Sequence, residues 1–291
     1  MAKDGNGGSI NVNNPVTWSS GGALTLTADT NINVNAKITG SGAASALTLR
    51  AGYDINIYAP SPFVVNPLTA DAGNNINIKA AQGWTTAGSW AFTAANSIFV
   101  YDTVNWSENT PLALSAYSAI NINAAITGSG ALGLNAGTDV SINAPSTLAV
   151  NTLTATASDN ININGPQSWT ARGSWTFTGN NINISDIPNW TTGALALNAG
   201  ANIFVNNLMT ATGSGSLVAT YGSGANANGS PNGLYMSLDT SGSYTGRIYF
   251  SSNGRVTLQG QNYTAINRLR ILMRSRKIQL RITCLAPVSS I

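Results

Sequence analysis

The sequence predicts an all-β fold, a parallel β-helix (solenoid) of roughly ten or more coils of ~21 residues each. An apolar-x-apolar triplet, usually Ile-Asn-Ile, starts at Ile10, Ile32, Ile55, Ile76, Ile98, Ile120, Val140, Ile161, Ile182 and Ile203, nine steps over 193 residues. A second row keeps the same spacing from Leu24 through Leu47, Leu68, Trp90, Leu112, Leu132, Leu153, Trp175 and Leu195 to Leu217. The third observation is compositional: 43% of the chain is hydrophobic and 8% charged, and Gly, Asn and Thr, all weak helix formers, occupy much of the remainder.

Each coil is read in chain order. The Ile triplet is a short strand in which residues i and i+2 share one face while the middle residue points the other way. A looser third row follows it, filled by Val16, Ile38, Phe63, Trp84, Val104, Ile126, Leu148 and Trp169. The Leu row closes the coil. One coil alone leaves its apolar residues wet, so burial comes from stacking at ~4.8 Å, which makes parallel sheets around an apolar column. Ten coils give a rod of about 50 Å. Between the Leu row and the next Ile triplet stand Ala51-Gly-Tyr-Asp54, Ala136-Gly-Thr-Asp139 and Ala199-Gly-Ala-Asn202. These predict a glycine with positive φ and an Asx residue bonded to its local backbone. A doubly wound α/β sheet needs crossover helices, and no segment up to residue 260 has a 3.6-residue apolar period.

A longer repeat of about 85 residues overlies the coils. ITGSG at Ile38–Gly42 returns at Ile126–Gly130, and GSWAFT from Gly88 returns as GSWTFT from Gly173. Trp84 matches Trp169, Trp90 matches Trp175, and Trp18, Trp106 and Trp190 form one series. The domain reading is coils over 1–222, a β-rich continuation of the rod over 223–267, and a basic tail over 268–291.

Composition excludes several chemistries. There is no histidine and one cysteine, so no Ser-His-Asp or Cys-His nucleophile, no His-ligated metal and no internal disulfide is available. Metal and cofactor are expected to be none. The net charge of +3 is an average of unlike parts. Residues 1–267 carry all ten acids and seven basic side chains, whereas Arg268, Arg270, Arg274, Arg276, Lys277 and Arg281 stand in the tail without an acid. That tail reads either as a basic peptide or as the product of a frame shift near Asn267. No apolar run is long enough to span a bilayer, and the N-terminus lacks the apolar core of a signal peptide.

The strings GALGLNAGTDVSINAP, ending at Pro145, and GALALNAGANIFV, ending at Val205, resemble the right-handed parallel β-helix repeats of the filamentous haemagglutinin-like adhesins, exoproteins of bacterial two-partner secretion. Gly246 to Ile266 resembles the stretch that often follows such repeats. The resemblance covers residues 9–267 and implies a secreted, cell-surface shaft that mediates adhesion. It also implies host-cell or bacterial surface glycans and proteins as partners, and an outer-membrane transporter for the full-length protein. The absence of a signal-peptide pattern and the basic tail depart from that family, and on this resemblance the chain is expected to be an internal or truncated piece of a longer exoprotein.

No enzyme is expected, and nucleic acid is not an expected partner. The alternative readings are a carbohydrate-active β-helix enzyme (polysaccharide lyase or glycosidase) and an inactive shaft fragment. Glycosidase carboxylates stand about 5 to 9.5 Å apart. Asp54 and Asp139 occupy equivalent places four coils apart, about 19 Å, and the same holds for Asp102 and Asp186. Asp139 and Asp159 are the one plausible close pair, with turn-capping as the plainer role. The candidate contact residues are the Ile-row middle positions Asn33, Asn56, Asn77, Asn121, Asn162 and Asn183, which continue Asn11, and the tryptophans Trp106 and Trp190. The Asn row reads either as an amide ladder that hydrates a sheet face or as a glycan-contact or ice-ordering surface interrupted at Phe99 and Phe204. Trp106 and Trp190 sit among polar residues, which offers them as sugar-stacking rings at a corner. Trp90, Phe92, Trp175 and Phe177 are expected inside.

Overall fold

A computed structural model describes residues 7–19, 21–42, 44–60, 62–84, 88–106, 109–143, 148–165, 173–185, 189–226, 229–251 and 254–264. They form an all-β parallel solenoid of about nine turns with about 22 residues per turn, and no helix occurs among them. At ~4.8 Å per rung, nine turns give a rod of about 43 Å. The basic tail lies outside the described residues, as do Trp169, Arg172 and Asp186.

The two strong sequence rows are the two long ladders. Ile10 pairs with Ile32, Ile32 with Ile55, and the chain of partners continues unbroken to Ile203. Leu24 leads through Leu47, Leu68, Trp90, Leu112, Leu132, Leu153, Trp175 and Leu195 to Leu217 in the same way. Alternation fixes this register, because a slip of one residue would turn every Ile and Leu to the outside. From Ile32 and Leu47 onward these first positions are buried, and each such side chain withdrawn from water is worth ~1.5–3 kcal/mol. At Trp175–Ile184 and Ala194–Val205 a single strand runs through the corner, so both ladders belong to one 21-stranded sheet.

The third row is broken into three smaller sheets. Its register departs from the apolar pattern in one coil. Val104 pairs with Gln82, and Trp84 pairs with Trp106, so a glutamine fills a position the periodicity assigns to Trp84. Gln82 is 2% exposed. Its amide Nε2 donates to Ala80 O at 2.6 Å and Ala59 O at 3.3 Å, and its Oε1 accepts from Trp84 Nε1 at 3.3 Å. A buried amide with each polar atom partnered is tolerated where an unpartnered one is not. Trp84 then lies on Trp90 with centroids 4.5 Å apart and planes 10° apart, and on Phe92 at 5.7 Å. Trp90, Phe92, Trp175 and Phe177 are all inside.

The corner glycines work differently from the sequence expectation. Gly52, Gly137 and Gly200 are absent from the positive-φ residues. Two of them are required by close approach. A Cβ on Gly52 would stand 2.1 Å from Asp29 O, and one on Gly137 would stand 1.9 Å from Tyr117 O. The coil below passes directly under the glycine Cα. The Asx residues also bond across coils and not locally. Asp54 Oδ1 accepts the backbone N–H of Asn75 at 2.9 Å, and Asp139 Oδ1 accepts that of Asn160 at 2.9 Å. Stacking places the next coil's N–H nearer than any donor of the same turn.

Beyond Thr220 the coils lengthen. Ile203 pairs with Leu234, Leu208 with Arg247 and Leu217 with Val256, so loops are inserted while the three rows persist. The long-strand row then ends in a hairpin. Arg255–Leu258 pairs antiparallel with Gln261–Thr264 through Gln259 and Gly260, whose φ values are 51° and 78°. Two consecutive positive φ values are the signature of a tight primed turn.

Candidate binding surfaces

The asparagine row is the first candidate, and its amides bond one another along the rod. Asn33 Nδ2 donates to Asn11 Oδ1 at 2.8 Å, Asn56 to Asn33 at 3.0 Å and Asn77 to Asn56 at 3.0 Å. Farther along, Asn183 donates to Asn162 Oδ1 at 2.8 Å and Asn162 to Ser141 Oγ at 3.4 Å. Asn121 stands in register between Phe99 and Ser141. Asn56 is only 8% exposed. The row is therefore a half-buried ladder whose hydrogen-bonding capacity along the axis is used by the protein itself. A parallel ladder runs at the position after each triplet, from Asn35 to Asn13, Asn143 to Asn123 and Asn164 to Asn143.

Where the amide ladder stops, rings take over. Phe99 stacks on Tyr101 at 5.7 Å and 13°, and Phe204 on Tyr235 at 5.4 Å and 16°. Lys79 Nζ sits 4.9 Å above the Tyr58 ring centre and donates to the hydroxyl of that residue at 3.3 Å. Phe204 and Tyr235, partners in adjacent coils, continue the axial contact that amides make elsewhere, whereas Phe99 and Tyr101 stack side by side within one coil.

Trp106 and Trp190 are not surface rings. They are 3% and 2% exposed, which corrects their assignment to sugar stacking. Trp106 pairs in register with Gly128, and a Cβ on that glycine would lie 2.2 Å from the indole. The ring fills the volume that the glycine of the next coil leaves open. Its Nε1 donates to Thr110 O at 3.0 Å. Trp190 Nε1 donates to Ser216 O at 3.2 Å, and Phe250 meets the ring edge-on at 6.1 Å. Trp18 repeats the arrangement over Gly40 at the first coil.

The described carboxylates stand mostly at turns, and Asp159 follows Asp139 in the next coil, where its N–H donates to Thr138 O at 2.9 Å. Asp54 and Asp139 hold the turns, with Asn74 Nδ2 and Asn160 Nδ2 as further donors at 2.9 and 2.8 Å. Asp71 faces Arg50 Nε at 3.8 Å, both partly exposed, an ion pair of small energetic weight. Asp239 accepts the Ser241 hydroxyl and the N–H groups of Ser241 and Ser243, and these donors hold its carboxyl below the usual carboxylate range. Among the described residues no group of three His, Cys, Asp or Glu is placed to hold a metal ion.

Sequence reasoning missed one surface feature. A shallow groove runs along the corner between the outward side of the long strands and the turn that follows. One stretch of about 570 Å3 is lined by Thr93, Ser115, Asn135 and Tyr117, and a second of about 430 Å3 by Thr178, Asn198 and Thr220, with Ser158 common to both. Tyr117 is 81% exposed. The only sequence signal for it was an aromatic residue at a corner position where equivalent coils carry Gly73 and Gly137.

No protein-family model matches the chain, and comparison with curated proteins and with solved structures finds no match.

Proposed function

We propose that the chain is a shaft segment of a secreted, cell-surface adhesin of the filamentous haemagglutinin-like kind, a rigid non-catalytic rod that displays side chains for adhesion. Its partners on this reading are host-cell or bacterial surface glycans and proteins, and the full-length protein is served by an outer-membrane transporter. The observation that carries the reading is the unbroken register of both ladders from the first coil to Leu217, with amides and turn carboxylates bonded from coil to coil. Such an arrangement supplies length and stiffness along one axis. The strings ending at Pro145 and Val205 support the family choice by resemblance. Asp54 and Asp139 support the non-catalytic part, since both are engaged by the N–H groups of the next coil.

The test is adhesion of beads coated with the purified chain to bacterial and epithelial cells, against beads coated with a rod of unrelated sequence. Retention above the control, with small-angle scattering giving a rod of about 40–50 Å, is the expected result. Retention equal to the control on all cells, with the rod intact, removes the display reading.

A further inference from the structure

Two polar arrays follow the rod, and they differ in who satisfies them. On the short-strand side, the amides of Asn33, Asn56, Asn77 and Asn183 are donors to the neighbouring coil. On the long-strand side, the second outward position is filled by Thr93, Ser115, Asn135, Thr156 and Thr178 in five successive coils. None of these five side chains makes a hydrogen bond to any described residue. Four of them line the corner groove, and Thr156 continues their row between its two stretches. Thr93 and Asn135 are exposed and the other three half-buried, and hydroxyls and amides without an internal partner are available to a ligand at no cost in internal bonds.

The groove has further properties that select what it takes. Tyr117 projects beside it, largely exposed, and Gly137 of the next coil lines the groove with it. Among the described residues Asp71, at one end, is its only charged lining residue, and it faces Arg50. Donor and acceptor groups recur once per rung at ~4.8 Å, nearly the interval at which sugars succeed one another in an extended β-linked glycan. From these observations we infer that the corner groove binds an extended, neutral β-linked glycan along the rod axis, one sugar per coil, with a pyranose ring against Tyr117. Neutrality follows from the lining, which among the described residues holds no cation to meet a uronate or sulfate. The aromatic ring supplies an apolar face for sugar C–H groups, and the Thr, Ser and Asn side chains supply orientation. This deepens the display reading and rests on it for biological purpose.

The experiment uses the full chain and a panel of neutral β-linked hexasaccharides of glucose, mannose and N-acetylglucosamine, with hexagalacturonate as the acidic counterpart. Binding is followed by titration calorimetry. At least one neutral hexasaccharide is expected to bind, Tyr117→Ala is expected to weaken it at least tenfold, and Asn135→Arg is expected to block it. Asn183→Ala, on the other array, leaves binding within twofold. Circular dichroism and the unfolding midpoint establish that each variant is folded. Absence of binding across the neutral panel, a Tyr117→Ala variant that binds as well as the parent, or tighter binding of hexagalacturonate overturns the assignment. Cell adhesion unaffected by Tyr117→Ala removes the groove and leaves the display reading, whereas hexasaccharide binding without cell adhesion does the reverse.

Discussion

Gly128→Ala should displace Trp106, and the cost should disappear when Trp106 is already gone. The added Cβ would stand 2.2 Å from the indole, whereas real Cβ contacts essentially never fall below 3.0 Å, so the ring or the strand must move by at least 0.8 Å. Overpacking of this size in a filled interior costs ~1–3 kcal/mol. Moving the ring also weakens the Nε1–H bond to Thr110 O. Trp106→Ala alone leaves a large cavity and costs ~3–5 kcal/mol. In that background the alanine at 128 enters vacated space, so the double variant should be no less stable than Trp106→Ala. The resulting coupling is ~1–3 kcal/mol. Urea unfolding followed by far-ultraviolet circular dichroism, together with the red shift of tryptophan emission, measures all four corners of the cycle. Gly40→Ala serves as a comparison, because Trp18 lies at the first coil and is only half-buried. Additive effects within about 0.5 kcal/mol would refute the account of glycine and tryptophan as one packing unit.

The remaining predictions concern the axial polar bonds. Asn56→Ala removes a buried link and leaves Asn77 Nδ2 without its acceptor, which should cost ~1–3 kcal/mol. Asn11→Ala, at the end of the row, should cost clearly less in the same urea assay. Asp139→Ala deprives the Asn160 N–H of its acceptor and should raise hydrogen exchange at that amide by at least tenfold, while Asp139→Asn largely preserves protection. The Asp239 turn should lose order in acid. Its carboxyl titrates below its ordinary value because of the Ser241 and Ser243 donors, so the ordering is complete above the ordinary carboxylate pKa and is lost as pH falls through the lowered one. Amide shifts of Ser241 and Ser243 followed by NMR against pH check this, and Asp239→Asn should abolish the dependence.

The two ladders were legible because Ile-x-Ile and Leu-x-Leu alternate with a period of 2 and return at an even interval. Both signals survive single exceptions such as Phe99 and Trp90. The third row was less legible, since Gln82 hides among apolar positions and only its bonds to Ala59 and Ala80 explain its place. Trp106 was misplaced for a related reason. Its polar sequence neighbours suggested a corner, but the residue that decides its burial is Gly128, in the next coil. The pairing was readable: the third residue of ITGSG, Gly40 or Gly128, follows Trp18 or Trp106 by one coil in both long repeats. Corner glycines were assigned to backbone conformation when carbonyl crowding from the coil below is their cause. The groove was not legible, because it depends on which hydroxyls the fold leaves unbonded.

The antiparallel hairpin that ends the long-strand row bears on self-association. A stack of parallel rungs is a seed, for its last edge offers evenly spaced N–H and C=O groups to any strand arriving in the same sense. Here Gln261–Thr264 occupies that edge in the opposite sense. A rung arriving in the sense of the rod would meet this strand antiparallel, unlike the parallel pairing of every ladder before it. At that row the described residues therefore present an edge that does not repeat the parallel rungs before it.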